Sequence, residues 1–356
     1  MAYITLDREK LRENYEYLDQ LFDKHNIDWA IVTKMLCGNK TYLKEVLDLG
    51  IKQVCDSRVS NLKAIKSVNP GVETIYIKPP PKRAIPNIVR YSDVSMNTSF
   101  ETVNLLSDEA QRQNKTHKII IMIEMGELRE GVLRDEVVNF YARVFELPNI
   151  EVVGIGTNLS CLYGVLPNQD KLIQLSLYKQ LIEQKFDKKI PYISGGSSVT
   201  IPLINQGLLP ESINHFRVGE TLYLGTNVYD GTPFDFMHND VFSVHAEIIE
   251  LFEKPVVPQG EMGHNVEGET FEFDQDKSGD TSYRALIDLG LLDIEQNHLF
   301  PVNDSCSLAG ASSDMIVVDL GENNKMYRVG DLLEFKTDYM GLLRLLNSRY
   351  IDKKVK

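Results

Sequence analysis

The chain has 356 residues, enough for one large domain with a smaller second domain or for two domains of ordinary size. It carries 38 Lys and Arg against 51 Asp and Glu, a formal net charge of −13, which argues against nucleic acid or an anionic membrane as a partner and favours a small molecule or another protein. The N-terminus lacks the features of a signal peptide and no apolar run is long enough to span a bilayer, so we expect a cytoplasmic protein.

Short β-rich apolar runs alternate with longer amphipathic stretches through the first 225 residues, as in repeated strand-helix units with a parallel sheet. The predicted strands are residues 28–36, 53–57, 74–79, 93–97, 118–125, 151–158, 191–198 and 215–225. Apolar residues at intervals of three to four predict helices over residues 42–50, 100–114, 133–147 and 170–186. Eight strands with intervening helices over this length predict an α/β fold, a (β/α)8 TIM barrel.

From about residue 240 the pattern changes to short apolar runs broken by Gly, Asn and Asp, without a long helical period. These runs cover residues 241–252, 283–290, 315–321 and 331–337. They predict a mostly antiparallel β domain. Residues 260–280 are polar and contain several glycines, which predicts a long loop.

The cysteines and histidines do not point to a metal site. The four cysteines are far apart and form no CxxC pair, which argues against a disulfide framework and a zinc knuckle. The seven histidines show no HxxH or HExxH spacing. We therefore expect no metal.

Polar residues follow the predicted barrel strands, and in such a barrel the chemistry lies at the C-terminal ends of the strands. These residues are Lys34, Arg129, Asn158, Ser197, Arg217 and Gly219. A lysine, two arginines and small Gly and Ser turns, without metal ligands, favour an anionic cofactor that carries a phosphate.

Lys34 lies within an otherwise apolar run, where a buried ammonium is costly unless it is paired. A lysine near a phosphate-binding turn is what pyridoxal 5′-phosphate requires, because the ε-amine forms a Schiff base with the aldehyde and loses its charge. Backbone N–H groups of the glycine-rich turns after the seventh and eighth strands would hold the phosphate. We therefore expect Lys34 to be bonded to this cofactor.

Seven motifs follow one another along the chain: VTKMLCGN, IEMGELREGV, GIGTNLSC, ISGGSSVTIP, FRVGETLYLG, GASSDMIVVD and VGDLLEFKTDYMGLLRLLNSRYI. In this order they resemble the alanine racemase superfamily, the fold-type III pyridoxal-phosphate enzymes, and within it the ornithine racemase branch. The resemblance covers nearly the whole chain. It implies a cofactor-binding barrel over residues 8–228 and a C-terminal β domain over residues 229–356, together with a strand from residues 1–7. It also implies a head-to-tail homodimer whose active sites take residues from both subunits.

On this resemblance Lys34 is the Schiff-base lysine and the base on one face of the substrate α-carbon; a lysine that merely reaches solvent from a strand end is the alternative. Arg217 resembles the arginine that faces the pyridine nitrogen. A guanidinium has no proton to surrender, so the ring nitrogen stays unprotonated, which favours racemisation over decarboxylation. A structural salt bridge to a barrel carboxylate is the alternative for Arg217.

The same resemblance implies the phosphate and substrate contacts. The phosphate set is Gly196, Ser197, Gly219, the backbone amide of Glu220, and Tyr339. Asn158 would hydrogen-bond the cofactor hydroxyl, and Arg129 would pair with the substrate carboxylate through its fork geometry. An ordinary strand-end amide and a surface arginine at a helix start are the respective alternatives, and Gly, Ser and Tyr at these positions also suit plain turns and packing.

Two positions depart from the family. Gln259 lies where alanine racemases have the tyrosine that acts as the second base, and Gly38 lies where they have a phosphate-contacting tyrosine. Racemisation needs an acid or base on each face of the planar carbanion. We expect Ser312 or Ser313 to supply it from the GASSD loop of the partner subunit, ahead of Asp314, Cys306 and Tyr283; these serines also suit an ordinary turn. Either hydroxyl would need activation.

The predicted function is therefore a pyridoxal-phosphate-dependent racemase of a basic amino acid. The resemblance implies ornithine, and lysine or another basic amino acid would satisfy the same physics. Asp314 is the candidate partner of the side-chain ammonium, with an ordinary turn residue as the equal alternative. One alternative is a carrier of the cofactor, against which the C-terminal domain argues. The other is a fold-type III decarboxylase, which Arg217 disfavours.

Overall fold

The protein is described here by a computed structural model that covers residues 2–265, 268, 270 and 272–356. The chain divides into two compact units. One is Glu9–Asn239, and the other is the chain up to Arg8 together with Asp240–Lys356.

The strands in chain order are β1 (Tyr3–Leu6), β2 (Asp28–Val32), β3 (Gln53–Asp56), β4 (Glu73–Tyr76), β5 (Val94–Asn97), β6 (His117–Met122), β7 (Ile150–Gly156), β8 (Tyr192–Ser194), β9 (Gly196–Ser197), β10 (His215–Val218), β11 (Thr226–Asn227), β12 (Thr232–Pro233), β13 (Phe242–Pro255), β14 (Thr281–Ile287), β15 (Leu299–Pro301), β16 (Ser307–Ala311), β17 (Ile316–Asp319), β18 (Leu332–Thr337) and β19 (Asp352–Val355). The α-helices in chain order are α1 (Arg8–Lys24), α2 (Lys40–Leu47), α3 (Val59–Val68), α4 (Ile85–Tyr91), α5 (Phe100–Arg112), α6 (Val137–Val144), α7 (Gln169–Phe186), α8 (Ile201–Asn205), α9 (Glu220–Leu224) and α10 (Tyr339–Asn347).

The unit Glu9–Asn239 contains a nearly closed parallel barrel, in the strand order β8-β7-β6-β5-β4-β3-β2-β10-β9. β8 and β9 are two parts of one predicted strand, separated by Gly195, and they pair with β7 and β10. A Cβ at position 196 would lie 2.2 Å from the Phe216 ring, so glycine is what lets β9 pair with β10. The predicted TIM barrel is confirmed.

Every second residue along a barrel strand points into the core, because side chains alternate between the two faces of a strand. The buried cluster consists of Ala30, Val32, Cys55, Ile75, Val94, Met96, Ile120, Met122 and Val153. Because parallel strands bury both faces, these strands read as nearly continuous apolar runs in the sequence. The polar residues at their ends therefore stand out.

The second unit is built on one sheet with the strand order β15-β18-β13-β14-β17-β16, and these neighbours are antiparallel. β1 joins it by pairing antiparallel with β13 and parallel with β19. The prediction of a mostly antiparallel β region is confirmed. In the expected loop over residues 260–280, the structure has a short 3-10 turn at Gln275–Lys277, while Val266, Glu267, Glu269 and Phe271 lie outside the described residues.

Two predicted strands are too long, and one helix of the second unit was not predicted. The predicted strand 28–36 ends at Val32 and continues as a 3-10 turn, and the predicted strand 215–225 ends at Val218 and continues as α9. In both cases a short apolar run passes from strand to helix without a change in composition, which periodicity alone cannot detect. α10 was not predicted; it begins where the Asp338 side chain accepts a 2.9 Å hydrogen bond from the backbone of Gly341. In the part of the chain that the structure covers, no helix has the length and apolar character needed to cross a membrane.

Candidate active site

Lys34 lies at the C-terminal end of β2, where it starts the 3-10 turn Lys34–Leu36. Its side chain is exposed. The expectation that Lys34 lies buried in a strand is therefore wrong, because β2 ends at Val32 and the lysine lies on the rim of the barrel. Its position at a strand end remains the one expected of a reactive lysine in this fold.

A buried carboxylate fixes the turn that carries Lys34. Asp56, at the end of β3, accepts hydrogen bonds from the Thr33 hydroxyl at 2.9 Å and from the backbone N–H of Arg58 at 2.9 Å. The side-chain amide of Asn61 donates to both of its oxygens, at 3.1 and 3.3 Å. Burial raises the pKa of Asp56 although these hydrogen bonds act to lower it. Sequence reasoning missed Asp56, and its only signal was an acidic residue that closes an apolar strand.

Gly38, the position that departs from the family, is explained by the same cluster. Its φ is +73°, and a Cβ there would lie 2.9 Å from the Asn61 side-chain oxygen. A tyrosine at this position is incompatible with Asn61 as it lies here, and Asn61 is needed by Asp56. The departure therefore belongs to the Asp56 cluster.

Arg217 is buried in β10 with 6% of its surface exposed. Its Nη1 donates to the Ser194 carbonyl at 3.0 Å and to the Ser194 hydroxyl at 2.6 Å, and its Nη2 donates to the Thr157 carbonyl at 2.8 Å. Burial lowers its pKa. Within the described residues it forms no ion pair, so the alternative of a salt bridge to a barrel carboxylate is not what this structure contains.

The turns after β9 and β10 meet at Ser198. The backbone N–H groups of Gly219 and Thr221 point to its hydroxyl, at 3.4 and 3.3 Å. The hydroxyl of the neighbouring Ser197 instead caps the turn that follows, in a reciprocal pair with Thr200. Sequence reasoning named Ser197 and missed Ser198, because two adjacent serines differ only in the direction that the backbone gives them.

The start of α9 lies against the end of β2. A Cβ at Gly219 would be 3.1 Å from the Val32 Cβ, a close approach that glycine accommodates. Val32 is two residues before Lys34, so the turn at Gly219, with the half-buried Glu220 after it, lies beside the strand that presents the lysine. The structure thereby brings the predicted phosphate turn and the predicted cofactor lysine to one edge of the barrel.

Asn158 follows β7 with its amide nitrogen buried, and among the described residues that nitrogen has no hydrogen-bond partner. Leaving such a donor unsatisfied costs about 1–3 kcal/mol.

Arg129 lies in the exposed loop after β6. Its Nη2 donates to the carboxylate of Glu130 at 2.5 Å, and its Nε donates to the same carboxylate. This hydrogen-bonded pairing raises the pKa of Arg129. The structure therefore adds a carboxylate to the site that sequence reasoning did not include.

Glu127 ties the loops after β6 and β7 together. Its carboxylate accepts backbone N–H groups from five residues of the second loop, which are Ser160, Cys161, Leu162, Tyr163 and Val165. Burial raises its pKa, but the hydrogen bonds outweigh that effect and lower it to about 2. Sequence reasoning missed Glu127, because its partners are backbone groups that no motif reveals.

The family profile described as "Alanine racemase, N-terminal domain" matches residues 6–227, which is more than half of the chain. The chain belongs to the alanine racemase family. An ornithine racemase of Acetoanaerobium sticklandii is 35% identical over 99% of this chain and 99% of the relative. A lysine racemase of Thermotoga maritima is 28% identical over 98% of this chain and 97% of the relative.

Solved alanine racemases share the fold at low sequence identity. An alanine racemase of Clostridium difficile 630 has a TM-score of 0.76 at 15% identity, covering 100% of this chain and 95% of that one. The alanine racemase of Bartonella henselae with covalently bound pyridoxal phosphate has a TM-score of 0.74 at 17% identity, covering 100% and 99%. These likenesses establish the alanine racemase fold for both units of the chain.

In this alanine racemase family member, the remaining predicted site residues belong to the second unit. Ser312, Ser313 and Asp314 form the turn between β16 and β17. The Ser312 hydroxyl donates to the Met315 carbonyl at 3.2 Å, and the Ser313 hydroxyl donates to the Asp314 carboxylate at 2.9 Å. Tyr339 begins α10 and is half-buried.

Two backbone hydrogen bonds from the segment after β14 hold the GASSD turn in place. The backbone N–H of Leu291 donates to the Ser312 carbonyl, and that of Leu292 donates to the Ser313 carbonyl, both at 3.0 Å. A Cβ at Gly290 would lie 2.4 Å from the Ser313 carbonyl oxygen, so glycine lets the two segments touch. The turn therefore presents the exposed Ser313 and Asp314 on a fixed backbone.

Proposed function

We propose that the protein is a pyridoxal-phosphate-dependent racemase that interconverts the L and D forms of a basic amino acid, with ornithine as the substrate. Its identity of 35% with an ornithine racemase over 99% of its length supports this assignment. Its identity of 28% with a lysine racemase over 98% of its length supports it as well. The observation that carries it within the structure is Arg217, a buried arginine held by neutral oxygen atoms at the C-terminal side of the barrel. We propose residues 8–228 as the cofactor-binding domain.

Three features of the barrel fit the cofactor. The buried amide nitrogen of Asn158 is a donor that lacks a partner among the described residues and suits the cofactor hydroxyl. Arg217 uses two of its three nitrogens for the hydrogen bonds found here, and its Nε–H remains to donate to a pyridine nitrogen. The amides of Gly219 and Glu220 and the hydroxyl groups of Ser197 and Ser198 suit the phosphate.

Pyridoxal phosphate, when bound, supplies an electron sink that acidifies the substrate α-carbon. Lys34 would hold the cofactor covalently in the absence of substrate, and once the substrate amine had replaced it, its free amine would take or return the α-proton on one face. Arg217 would donate a hydrogen bond to the ring nitrogen without giving up its proton, which would moderate the electron sink and favour proton transfer over loss of the carboxylate. Arg129 would hold the substrate carboxylate through two parallel N–H bonds, in place of those that its Nε and Nη2 donate to Glu130 in this structure.

We propose that the GASSD turn of a partner subunit serves the face of the substrate α-carbon opposite Lys34. Of its two hydroxyl groups, Ser313 is the better placed for activation, because it already donates to the Asp314 carboxylate. The same carboxylate suits the side-chain ammonium of a basic substrate. Gly196 and Tyr339 complete the proposed phosphate contacts, and the active protein is proposed to be a cytoplasmic head-to-tail homodimer.

The test is proton NMR of the cofactor-loaded protein in deuterium oxide with L-ornithine, L-lysine, L-arginine and L-alanine in parallel, followed by chiral separation. We expect loss of the α-proton signal and formation of the D isomer from ornithine, with little change of alanine. Exchange without inversion would contradict two-sided proton transfer. Cofactor binding without exchange would favour a carrier, and release of carbon dioxide would favour a decarboxylase.

Lys34→Ala is the decisive variant, with Lys44→Ala as its matched control. Lys44 is an exposed lysine of α2 paired with Asp48 at 2.7 Å on the same helix. We expect Lys34→Ala to lose both the covalent bond to the cofactor, which borohydride reduction and mass spectrometry measure, and α-proton exchange. Full covalent binding and turnover by Lys34→Ala would overturn the proposed mechanism.

A further inference from the structure

A buried chain of hydrogen bonds leads from Arg217 to the opposite side of β2. The Ser194 hydroxyl, 2.6 Å from the Arg217 Nη1, is also 2.7 Å from the His215 Nδ1. The His215 Nε2 is 3.1 Å from the side-chain oxygen of Gln53. Ser194, His215 and Gln53 are all buried, and none of them belongs to the site as sequence reasoning drew it.

The backbone explains why these residues meet. His215 and Arg217 are two residues apart on β10, so their side chains lie on the same face of the strand. Ala30 on β2 is the register partner of both Arg217 on β10 and Gln53 on β3. Because Ala30 contributes only a methyl group, the His215 ring can reach across β2 to Gln53.

In this series of hydrogen bonds, only one arrangement of the protons gives every bond a donor and an acceptor. The Gln53 amide nitrogen donates at 2.5 Å to the Glu73 carboxylate, which only accepts, so the Gln53 oxygen faces His215. That oxygen also only accepts, so the His215 Nε2 carries a proton and donates it. Burial, and then the charge of Arg217, lower the pKa of His215 to about 3, so the ring is neutral and its Nδ1 accepts a hydrogen bond from the Ser194 hydroxyl.

The direction of the Ser194 proton determines what the Ser194 hydroxyl presents to Arg217. Because the Ser194 proton is directed to His215, the lone pairs of the hydroxyl oxygen face the guanidinium and accept from it. Without His215 the hydroxyl could rotate and turn its own proton towards Arg217, which would replace an attraction by a repulsion. The oxygen atoms that accept from Arg217 are therefore neutral and held in one orientation. No carboxylate forms an ion pair with Arg217 in the part of the chain that the structure describes, while the negative charge of Glu130 acts on it from a longer distance.

We propose that Gln53, His215 and Ser194 are positioning residues that hold Arg217 as a full cation in one orientation towards the ring nitrogen of the cofactor. The inference rests on the proposed function, since it assumes that Arg217 meets that nitrogen. It adds that the strength of the hydrogen bond from Arg217, and with it the rate of α-proton removal, is set by three residues that touch neither substrate nor cofactor.

The test is the 15N chemical shift of the ring nitrogen in protein loaded with 15N-labelled pyridoxal phosphate, measured together with kcat and KM. In Ser194→Ala we expect the resonance to move towards that of free, unprotonated pyridine, because Arg217 is no longer held. We expect kcat to fall about tenfold while KM changes by less than about twofold. His215→Phe, which removes both of its hydrogen bonds, should move both quantities in the same direction, and Ser194→Thr should restore them.

The matched control is Ser95→Ala. Ser95 and His117 form another buried serine-histidine hydrogen bond in the barrel, at 2.8 Å, and they have no contact with Arg217. Thermal unfolding should show a comparable loss of stability in Ser95→Ala and Ser194→Ala, while the 15N resonance and kcat of Ser95→Ala stay at the wild-type values.

The positioning role is overturned if Ser194→Ala binds the cofactor and keeps the wild-type 15N shift and kcat, or if Ser95→Ala changes them equally. Failure of the proposed function would look different. In that case the wild-type protein would already show no covalent cofactor and no α-proton exchange.

Discussion

The Thr33 hydroxyl and the Asp56 carboxylate are 2.9 Å apart, and this hydrogen bond joins the ends of two neighbouring strands directly before Lys34. Thr33 and Asp56 are both completely buried. The bond therefore fixes the point at which the chain leaves β2 and turns towards the rim. The orientation of the proposed cofactor lysine depends on a carboxylate that is not expected to touch the cofactor.

Asp56→Ala should lower the free energy of unfolding by about 2–3 kcal/mol. The buried side-chain amide of Asn61 would lose its acceptor, and the Thr33 hydroxyl would keep only its 3.2 Å hydrogen bond to the Cys55 carbonyl. Urea denaturation measures this change. Asp93→Ala is a useful comparison, because the Asp93 carboxylate also accepts from a threonine hydroxyl and a backbone N–H, at 2.9 and 2.8 Å, but in a different part of the barrel. Only Asp56→Ala should also slow formation of the covalent bond between Lys34 and the cofactor.

Asp56 also predicts a pH dependence. Burial raises its pKa in the folded protein above the ordinary value of 3.8, so the protonated form is the one that folding favours. This contribution is fully present below pH 3.8 and is lost as the pH rises through the raised pKa. In Asp56→Asn that loss should disappear, and urea titrations from pH 3.8 upwards would show it as a flatter profile than that of the wild type. Parallel profiles for the two proteins would contradict the prediction.

Glu127→Gln should destabilise the protein at pH 7 by about 3 kcal/mol, since a folded pKa of about 2 against an ordinary 4.5 corresponds to a free energy of that order. The pKa is lowered, so the stabilisation is present above pH 4.5 and is lost as the pH falls towards 2. Denaturation of Glu127→Gln should therefore depend less on pH in this range. Glu136→Gln, at an exposed glutamate of the following turn, is the control and should match the wild type.

Gly38→Ala should cost about 1–2 kcal/mol more than Gly50→Ala. Both glycines have positive φ, +73° and +91°, but a Cβ at position 38 meets Asn61 at 2.9 Å, whereas a Cβ at position 50 meets nothing within 4 Å. The difference between the two variants in a thermal or urea transition isolates the contact with Asn61. Equal losses would show that the backbone conformation alone requires the glycine at position 38.

Arg129→Lys should raise KM for the amino acid about tenfold with a smaller effect on kcat, because an ammonium cannot form the two parallel hydrogen bonds that a carboxylate receives from a guanidinium. Steady-state kinetics with ornithine measures both constants. Arg134→Lys is the matched control, since Arg134 is an exposed arginine that starts the next turn. If the two variants behave alike, Arg129 serves the loop through Glu130 and does not bind substrate.

Much of the fold follows from the sequence because apolar patterning is a local property. The barrel strands appear as short apolar runs, and the polar residues at their ends, such as Lys34 and Asn158, interrupt that pattern where each strand meets the rim. Element ends were less accessible. Met35 and Leu36 look like a continuation of β2 but form a 3-10 turn, since an apolar residue suits both conformations when it is buried.

The sequence by itself determined the barrel, the mostly β second unit, and the set of charged residues at the strand ends, because these depend on the order and spacing of residue types. The tertiary structure decided which groups serve which. It exposed Lys34, turned Ser198 rather than Ser197 towards the amides of α9, and gave Arg217 a hydrogen bond to the Ser194 hydroxyl, which is itself hydrogen-bonded to His215. These hydrogen bonds join residues from different strands or involve backbone donors. Whether each bond forms depends on differences of a few tenths of an ångström in the distance between donor and acceptor, which the order of residues along the chain does not encode.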